Sequence, residues 1–383
     1  MPFPHEKEIE VIETVETFDI SEVANEVSID ILKQRLLRPG EYVTLAEEEL
    51  THIPGAILTN SASTQIQQGF SYNPSRITGE QAPAIYGVLP DACLFGPYQL
   101  IATRDGRFLR ENWVMQKRQC WYNYTYAKQN QQSKIAPQKT DFRVFQASLG
   151  HSENYGHLIR DSLSLGRMLD NLVSSEELIS SVYGVPKFIY EFFGLFRPND
   201  ESLIHRGLAV ETPELHFVSQ PPFSLAGLDY VRRRSTRIVQ NVQERPNALY
   251  VSRKGYRRSI ENEEQIIPVL QKYNIAYIEP QKLSVKHQIE LFSGANLVLG
   301  ALGAALCNSA FMPEQSIVIE LCDPTRFEET FFMFHAACTR CHYAKIVGEM
   351  LPEYANMEHV DFHGNFVLQP EVLDEALGLL FSS

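Results

Sequence analysis

Residues 245–350 alternate between short apolar runs and helical patterns about ten residues long, and this alternation constrains the fold more than any other feature of the chain. "NALYVSR", "IAYIEP", "NLVLG" and "SIVIEL" read as strands, "NEEQIIPVLQKYN" and "SVKHQIELFSGA" as the helices between them, and "AALCNSAFM" as a helix start. Strands separated by helices cannot be joined by tight hairpins. They need crossover connections, and those produce βαβ units and a parallel sheet. The expected fold class is therefore α/β, with a Rossmann-like domain over residues 241–350.

The chain has 383 residues, which suggests more than one core. The Glu-rich start, residues 1–53, reads as an acidic N-terminal extension. A second domain spans 54–240 and opens with β-like runs; "YQLIATRDGRFLREN" is a hairpin signal with Asp105-Gly106 at its turn. The strand "FRVFQAS" precedes a helix carrying Leu158, Leu163, Leu165, Met168 and Leu169 at near-helical spacing, with Asn154 as N-cap. A linker is placed near Gln240 to Arg245. Residues 351–383 form a tail with the amphipathic helix "PEVLDEALGLLF", expected to pack back across the other domain.

A net charge of -13 argues against a nucleic-acid partner, which would call for a basic face. The first twenty residues lack the basic start and apolar stretch of a secretory signal, so a cytoplasmic protein is expected. The basic run "VRRRSTR", residues 231–237, fits a solvated helix face, with peripheral contact at the inner face of a membrane as the alternative. Six scattered cysteines read as reduced thiols. "CTRCH", Cys338 to His342, matches a haem-attachment spacing, but it runs into a strand-like segment and is read as flanking a buried edge.

Three stretches carry candidate chemistry. "GALGAALCNSAFMP", residues 300–313, follows a strand and opens a helix; Gly303 and Ala304 there leave room for a phosphate to meet backbone amides at the helix start, or else serve tight packing. In "YVSRKGYRRSIENEEQ", Arg253, Lys254, Arg257 and Arg258 follow the first strand of the domain, where parallel sheets bind ligands. In "SENYGHLIRDSL", His157 and Asp161 are four residues apart and share one helix face, which suits a base and its orienting partner. Glu320 ends "SIVIE" and is a candidate for ribose hydroxyls or a capped strand end. The sequence has no D-x-D, no G-x-x-x-x-G-K-[ST] and no G-x-S-x-G. Arginines and a helix end without such carboxylates suggest a diphosphate handled without metal or other cofactor.

"NYGHLIRDSL", "YVSRKGYRRSIENEEQ", "LSVKHQIELFSGANLVLGALGAALCNSAFMP" and "SIVIELCDP", in that order, resemble glycosyltransferase family 61 (the DUF563 proteins). The likeness runs from about Leu89 to Glu349. It implies a GT-B-like architecture, two Rossmann-like domains facing a cleft, with residues 54–240 on the acceptor side and 241–350 holding the nucleotide sugar. It also implies inverting, metal-independent transfer of a hexosyl or pentosyl group, a UDP-sugar being favoured, to a glycan or lipid-linked glycan in polysaccharide biosynthesis. The family's arginine and its asparagine-glutamate pair fall on Arg253, Asn262 and Glu263, and its histidine and aspartate on His157 and Asp161. Where the family reads G-x-H-G-A-x-L-T-N, this chain reads "GALGAALCN", with Leu302 and Cys307 at the departures. A non-catalytic sugar-nucleotide or glycan binder and a nucleotide-sugar epimerase are the competing classes.

Overall fold

A computed structural model describes residues 17–45, 56–58, 67–68, 84–95, 99–104, 107–109, 138–147, 153–171, 178–183, 186–196, 202–205, 209–219, 224–239, 245–326, 329, 331–354 and 364–381. The chain divides into two compact units, residues 1–48 with 74–230, and residues 49–73 with 231–383. Within the stretch expected as an extension, residues 17–45 are packed into the first unit: strand β1 (Glu41–Thr44) pairs with the long strand β2 (Ile85–Phe95), and Ile20 and Val43 are buried.

The first unit is built on one mixed sheet. β2 is antiparallel to β3 (Leu100–Thr103), and β3 to Phe108–Leu109, so the hairpin forms as expected; its Asp105-Gly106 turn lies outside the described residues. Beyond it, β4 (Arg143–Gln146), β5 (Leu178–Tyr183) and β6 (Ser202–His205) are parallel neighbours, and β7 (Ala209–Ser219) joins β4 in parallel to β2 in antiparallel pairing. The crossover from β4 to β5 is a helical run over residues 155–171, and that from β5 to β6 is helix α1 (Lys187–Phe196). Ile85, Leu89, Leu215 and Phe217 share one apolar core face of β2 and β7, and Tyr86, Val88, His216 and Val218 between them are buried as well, so this part of the sheet is covered on both faces. Helix α2 (Leu225–Ile238) carries the chain into the second unit, and "VRRRSTR" lies on it.

The second unit is the parallel α/β domain foreseen from the strand–helix alternation. Its strands β8 (Ala248–Val251), β9 (Ala276–Ile278), β10 (Leu297–Ala301), β11 (Ile317–Cys322) and β12 (His342–Val347) lie in the order β9-β8-β10-β11-β12, all parallel. Every residue of β8 and β10 is buried, which explains why these strands read as unbroken apolar runs. A segment from far upstream, Ala56–Leu58, adds to the sheet beside β12. Helices α3 (Glu263–Lys272), α4 (Val285–Phe292), the latter capped by Ser284 Oγ accepting from His287 N, and α5 (Phe331–Cys338) cross between strands. The C-terminal helix α6 (Pro370–Phe381) corrects one expectation. Leu373, Ala376 and Leu377 pack into the second unit's own core with Ile266 and Leu270 of α3, and Lys272 pairs with Asp374 at 2.6 Å. Its apolar face is spent on its own unit. Cys338 and Cys341 are buried thiols beside β12. Among the described residues no helix is long and apolar enough to cross a membrane, and no group of three or more His, Cys, Asp or Glu is placed to hold a metal ion.

Candidate active site

In a parallel sheet ordered 2-1-3-4-5, a ligand crevice opens beyond the carboxyl ends of the two strands between which the order reverses. Here those strands are β8 and β10. Beyond β8 the chain enters "RKGYRR", a turn in which Tyr256 N donates to Arg253 O at 2.9 Å. Gly255 and Arg258 both take left-handed backbone, φ 83° and 61°. That conformation suits glycine and costs an arginine about 1 kcal/mol, so something beyond local preference holds Arg258 there. Beyond β10, Gly303 caps a 3-10 helical run over Ala304–Phe311.

The arginine and the glycine meet. Arg253 stretches across the reversal point so that a Cβ placed on Gly303 would collide with its guanidinium. Gly303 is extended, φ 177°, a conformation open to any residue, so the requirement for glycine is the closeness of Arg253 and nothing in the backbone. Gly300 answers a different need: a Cβ there would press on Val251 O at 2.8 Å in the adjacent strand. The small residues of the 300–313 stretch therefore serve packing at one position and a guanidinium at the other.

Arg253 Nε and Nη2 are held by Arg257 O at 3.2 and 3.0 Å. Arg257 thus enters through its carbonyl, while its own side chain is exposed. The cations that gather around Arg253 are others. Burial and the neighbouring Arg258 lower the Arg253 pKa to about 10, and burial and Arg326 lower that of Arg258. Arg253 and Arg258 are therefore like charges crowded and partly desolvated beyond β8, which an anion would relieve, while Arg326, past the end of β11, acts on Arg258 and is itself paired with Glu329 Oε2 at 2.8 Å. Arg326 escaped the sequence reading, although "ELCDPTR" places it just past a strand end, where the same rule would have found it.

Asn262 and Glu263 are turned to structural duty. Asn262 Nδ2 donates to Leu368 O and its Oδ1 accepts from Leu368 N, both at 3.0 Å, pinning the segment before α6. Glu263 is buried and accepts from Tyr250 OH at 2.7 Å, Ser252 Oγ at 3.0 Å and Tyr277 OH at 3.0 Å, fastening α3 to β8 and β9. Glu320 is likewise removed from any nucleotide. Its side chain is fully buried, 3.3 Å from Lys345 Nζ and accepting from Tyr343 OH at 3.0 Å. The ribose role expected for Glu320 needs an exposed carboxylate, which this position does not offer. Leu302 too is buried, so its side chain packs inward while its N–H pairs with Leu321 O at 3.0 Å. Ala304 is half-buried at the first helical position.

In the first unit, Asn154 caps the helical run as expected, accepting from Gly156 N at 3.0 Å. The next turn, Leu158–Ser162, widens to a π-helix, a local distortion common at functional sites. It brings His157, Arg160 and Asp161 together. Arg160, absent from the sequence reading, is buried and grips the Asp161 carboxylate through Nε and Nη2. Burial would raise the Asp161 pKa, but Arg160 and His157 outweigh it and hold the group below the ordinary carboxylate value. His157 Nδ1 lies 2.9 Å from Asp161 Oδ2 and 2.9 Å from Arg160 Nη2. Nδ1 can donate to Asp161 Oδ2 or accept from Arg160 Nη2 but not both, and the tautomer that donates to Asp161 leaves Nε2 as the acceptor. His157 keeps 27% of its side chain exposed against 11% for Asp161, so the imidazole is the group a substrate can reach.

No curated protein matches the chain. Residues 155–319 match the family model described as Glycosyltransferase 61, from the turn that holds His157 into the strand that holds Glu320, so this stretch of the chain is similar to that family.

Proposed function

We propose that the protein is an inverting glycosyltransferase of GT-B type that takes a sugar from a nucleoside diphosphate donor, a UDP-sugar foremost, and passes it to a glycan or lipid-linked glycan without a metal ion. The observation that carries this reading is the Arg253 guanidinium laid over Gly303 at the β8/β10 reversal point, with the charge of Arg258 acting on it. Planar guanidinium groups donate paired hydrogen bonds to phosphate oxygens, and the start of the Ala304–Phe311 run adds backbone N–H groups. The arginines thereby supply the charge neutralisation that a divalent ion provides in other diphosphate sites.

His157 acts as the base. Its Nε2 takes the proton of the acceptor hydroxyl as that oxygen attacks the anomeric carbon, and the bond from that carbon to the diphosphate oxygen breaks with the electron pair leaving on the diphosphate. Asp161 fixes the imidazole by accepting from Nδ1 and stabilises the imidazolium that forms, while Arg160 keeps Asp161 ionised. Arg253 and Arg258 meet the charge that develops on the departing diphosphate.

A thermal-shift series against UDP, GDP, CMP and dTDP, with and without EDTA, tests the donor half. One nucleotide should raise the midpoint by mass action, equally with EDTA, and Arg253→Ala should abolish the rise. A rise that EDTA removes would contradict the metal-free reading. No rise with any nucleotide would favour a glycan-binding protein in place of a transferase, and a changed sugar without an acceptor would favour an epimerase.

A further inference from the structure

The second unit's sheet buries a carboxyl–ammonium pair to which the donor-site reading gives no role. Glu320 of β11 and Lys345 of β12 are register partners, and both side chains are buried. They face away from the apolar cluster formed by Ile319, Leu321, Ala344 and Ile346 on the other side of the same strands. A buried pair of this kind gains little stability over an apolar pair of the same size, because two ions must leave water to form it. Its presence calls for a task that apolar side chains cannot perform.

The task is visible in the remaining protons of the ammonium. Beside Glu320 Oε1 at 3.3 Å, Lys345 Nζ donates to Arg326 O at 3.0 Å and to Glu329 O at 2.6 Å. An ammonium donates through its N–H groups, and here two donations go to backbone carbonyls. Both carbonyls belong to the segment that follows β11. That segment is shaped further by Asp323, whose Oδ1 accepts from Thr325 N at 2.8 Å, and by Arg326 Nη1 donating to Glu329 Oε2 at 2.8 Å. The groups facing Arg258 from this side are Arg326, Glu329, Glu320 and Asp323.

Resting on the donor-site reading above, we propose that Lys345, paired with the Glu320 that Tyr343 OH anchors, is a positioning residue for the diphosphate site. It fixes the backbone at Arg326 and Glu329 so that the Arg326 guanidinium stays beside Arg258. Lys345 contacts no substrate and acts through Arg326.

The paired substitution Glu320→Gln with Lys345→Met removes both charges together and leaves no unpaired ion, so the sheet should still melt cooperatively. UDP titrated by calorimetry into this double variant should bind about tenfold more weakly than to wild type, the scale of one charge-assisted hydrogen bond. Arg326→Ala should lose a similar factor, and combining it with the double variant should cost no more than either alone; a merely structural pair would not show that non-additivity. Unchanged UDP affinity in the double variant or in Arg326→Ala, with Arg253→Ala defective, overturns the positioning role and leaves the donor site standing. Wild-type affinity in Arg253→Ala overturns the donor-site reading itself, and this proposal with it.

Discussion

At the scale of single residues, two histidine-helix carboxylate partners that looked interchangeable in the sequence are unequal in the structure. "HLIRD" places His157 and Asp161 on one face, yet only the fold shows that Arg160 turns inward and takes the carboxylate. An arginine adjacent to an aspartate in sequence would by default point elsewhere; the π-turn at Leu158–Ser162 brings it round. A carboxylate held ionised by a guanidinium is a weak proton acceptor, so the proposed mechanism gives Asp161 the orienting role and His157 that of the base. His157→Ala should therefore lower kcat about 100- to 10,000-fold with little change in donor affinity. Asp161→Asn should lower kcat as well, by favouring the tautomer that carries its proton on Nε2. Steady-state kinetics with the preferred donor check both, and a His157→Ala enzyme of normal kcat would remove the histidine from the mechanism. Arg160→Ala should impair folding, because it leaves the Asp161 carboxylate buried without its cation.

At the scale of elements, the strands β8, β10, β11 and β12 were legible because they are buried on both faces over most of their length and so read as apolar runs, while the edge strand β9 is only half-buried. Glu320 in "IVIELC" is an exception within those runs, and it is where inference from pattern went astray. A carboxylate at a strand end suggested a ligand, whereas the partner that consumes it lies 25 residues on, across a strand pairing that pattern alone does not place in register. Burial, outweighing Lys345 and Tyr343, pushes the Glu320 carboxyl from 4.5 up to about 7. The sign follows directly. Between those values the folded chain keeps a proton that the unfolded chain releases, so this carboxyl's contribution to stability is full below pH 4.5 and fades as the pH rises through about 7. Urea unfolding at several pH values should show wild type losing stability across that window relative to the Glu320→Gln, Lys345→Met variant. A difference between the two that stays constant with pH would contradict it. Helix α6 was legible as a helix but not in its docking, since an amphipathic face does not name the surface it covers.

At the scale of the whole molecule, the α/β class and the run of parallel strands followed from periodicity, while the makeup of each unit did not. Residues 49–73 belong with the C-terminal half, and Ala56–Leu58 extends its sheet, a pairing between segments nearly 300 residues apart that local pattern cannot carry. The strand order β9-β8-β10-β11-β12 was also beyond the sequence, and it turns two separate motifs, "SRKG" and "GALGA", into one site. The most direct test is a calorimetric cycle of UDP binding to wild type, Arg253→Ala, Gly303→Ala and the double variant. Gly303 has unstrained backbone and the three atoms nearest to a Cβ there all belong to the flexible end of Arg253, so Gly303→Ala should fold normally yet displace that guanidinium. Each single variant should lose about 10- to 100-fold in affinity, and the double should be no worse than either. Wild-type affinity in Gly303→Ala, or losses that add in the double variant, would show that the arginine and the glycine do not form one diphosphate site.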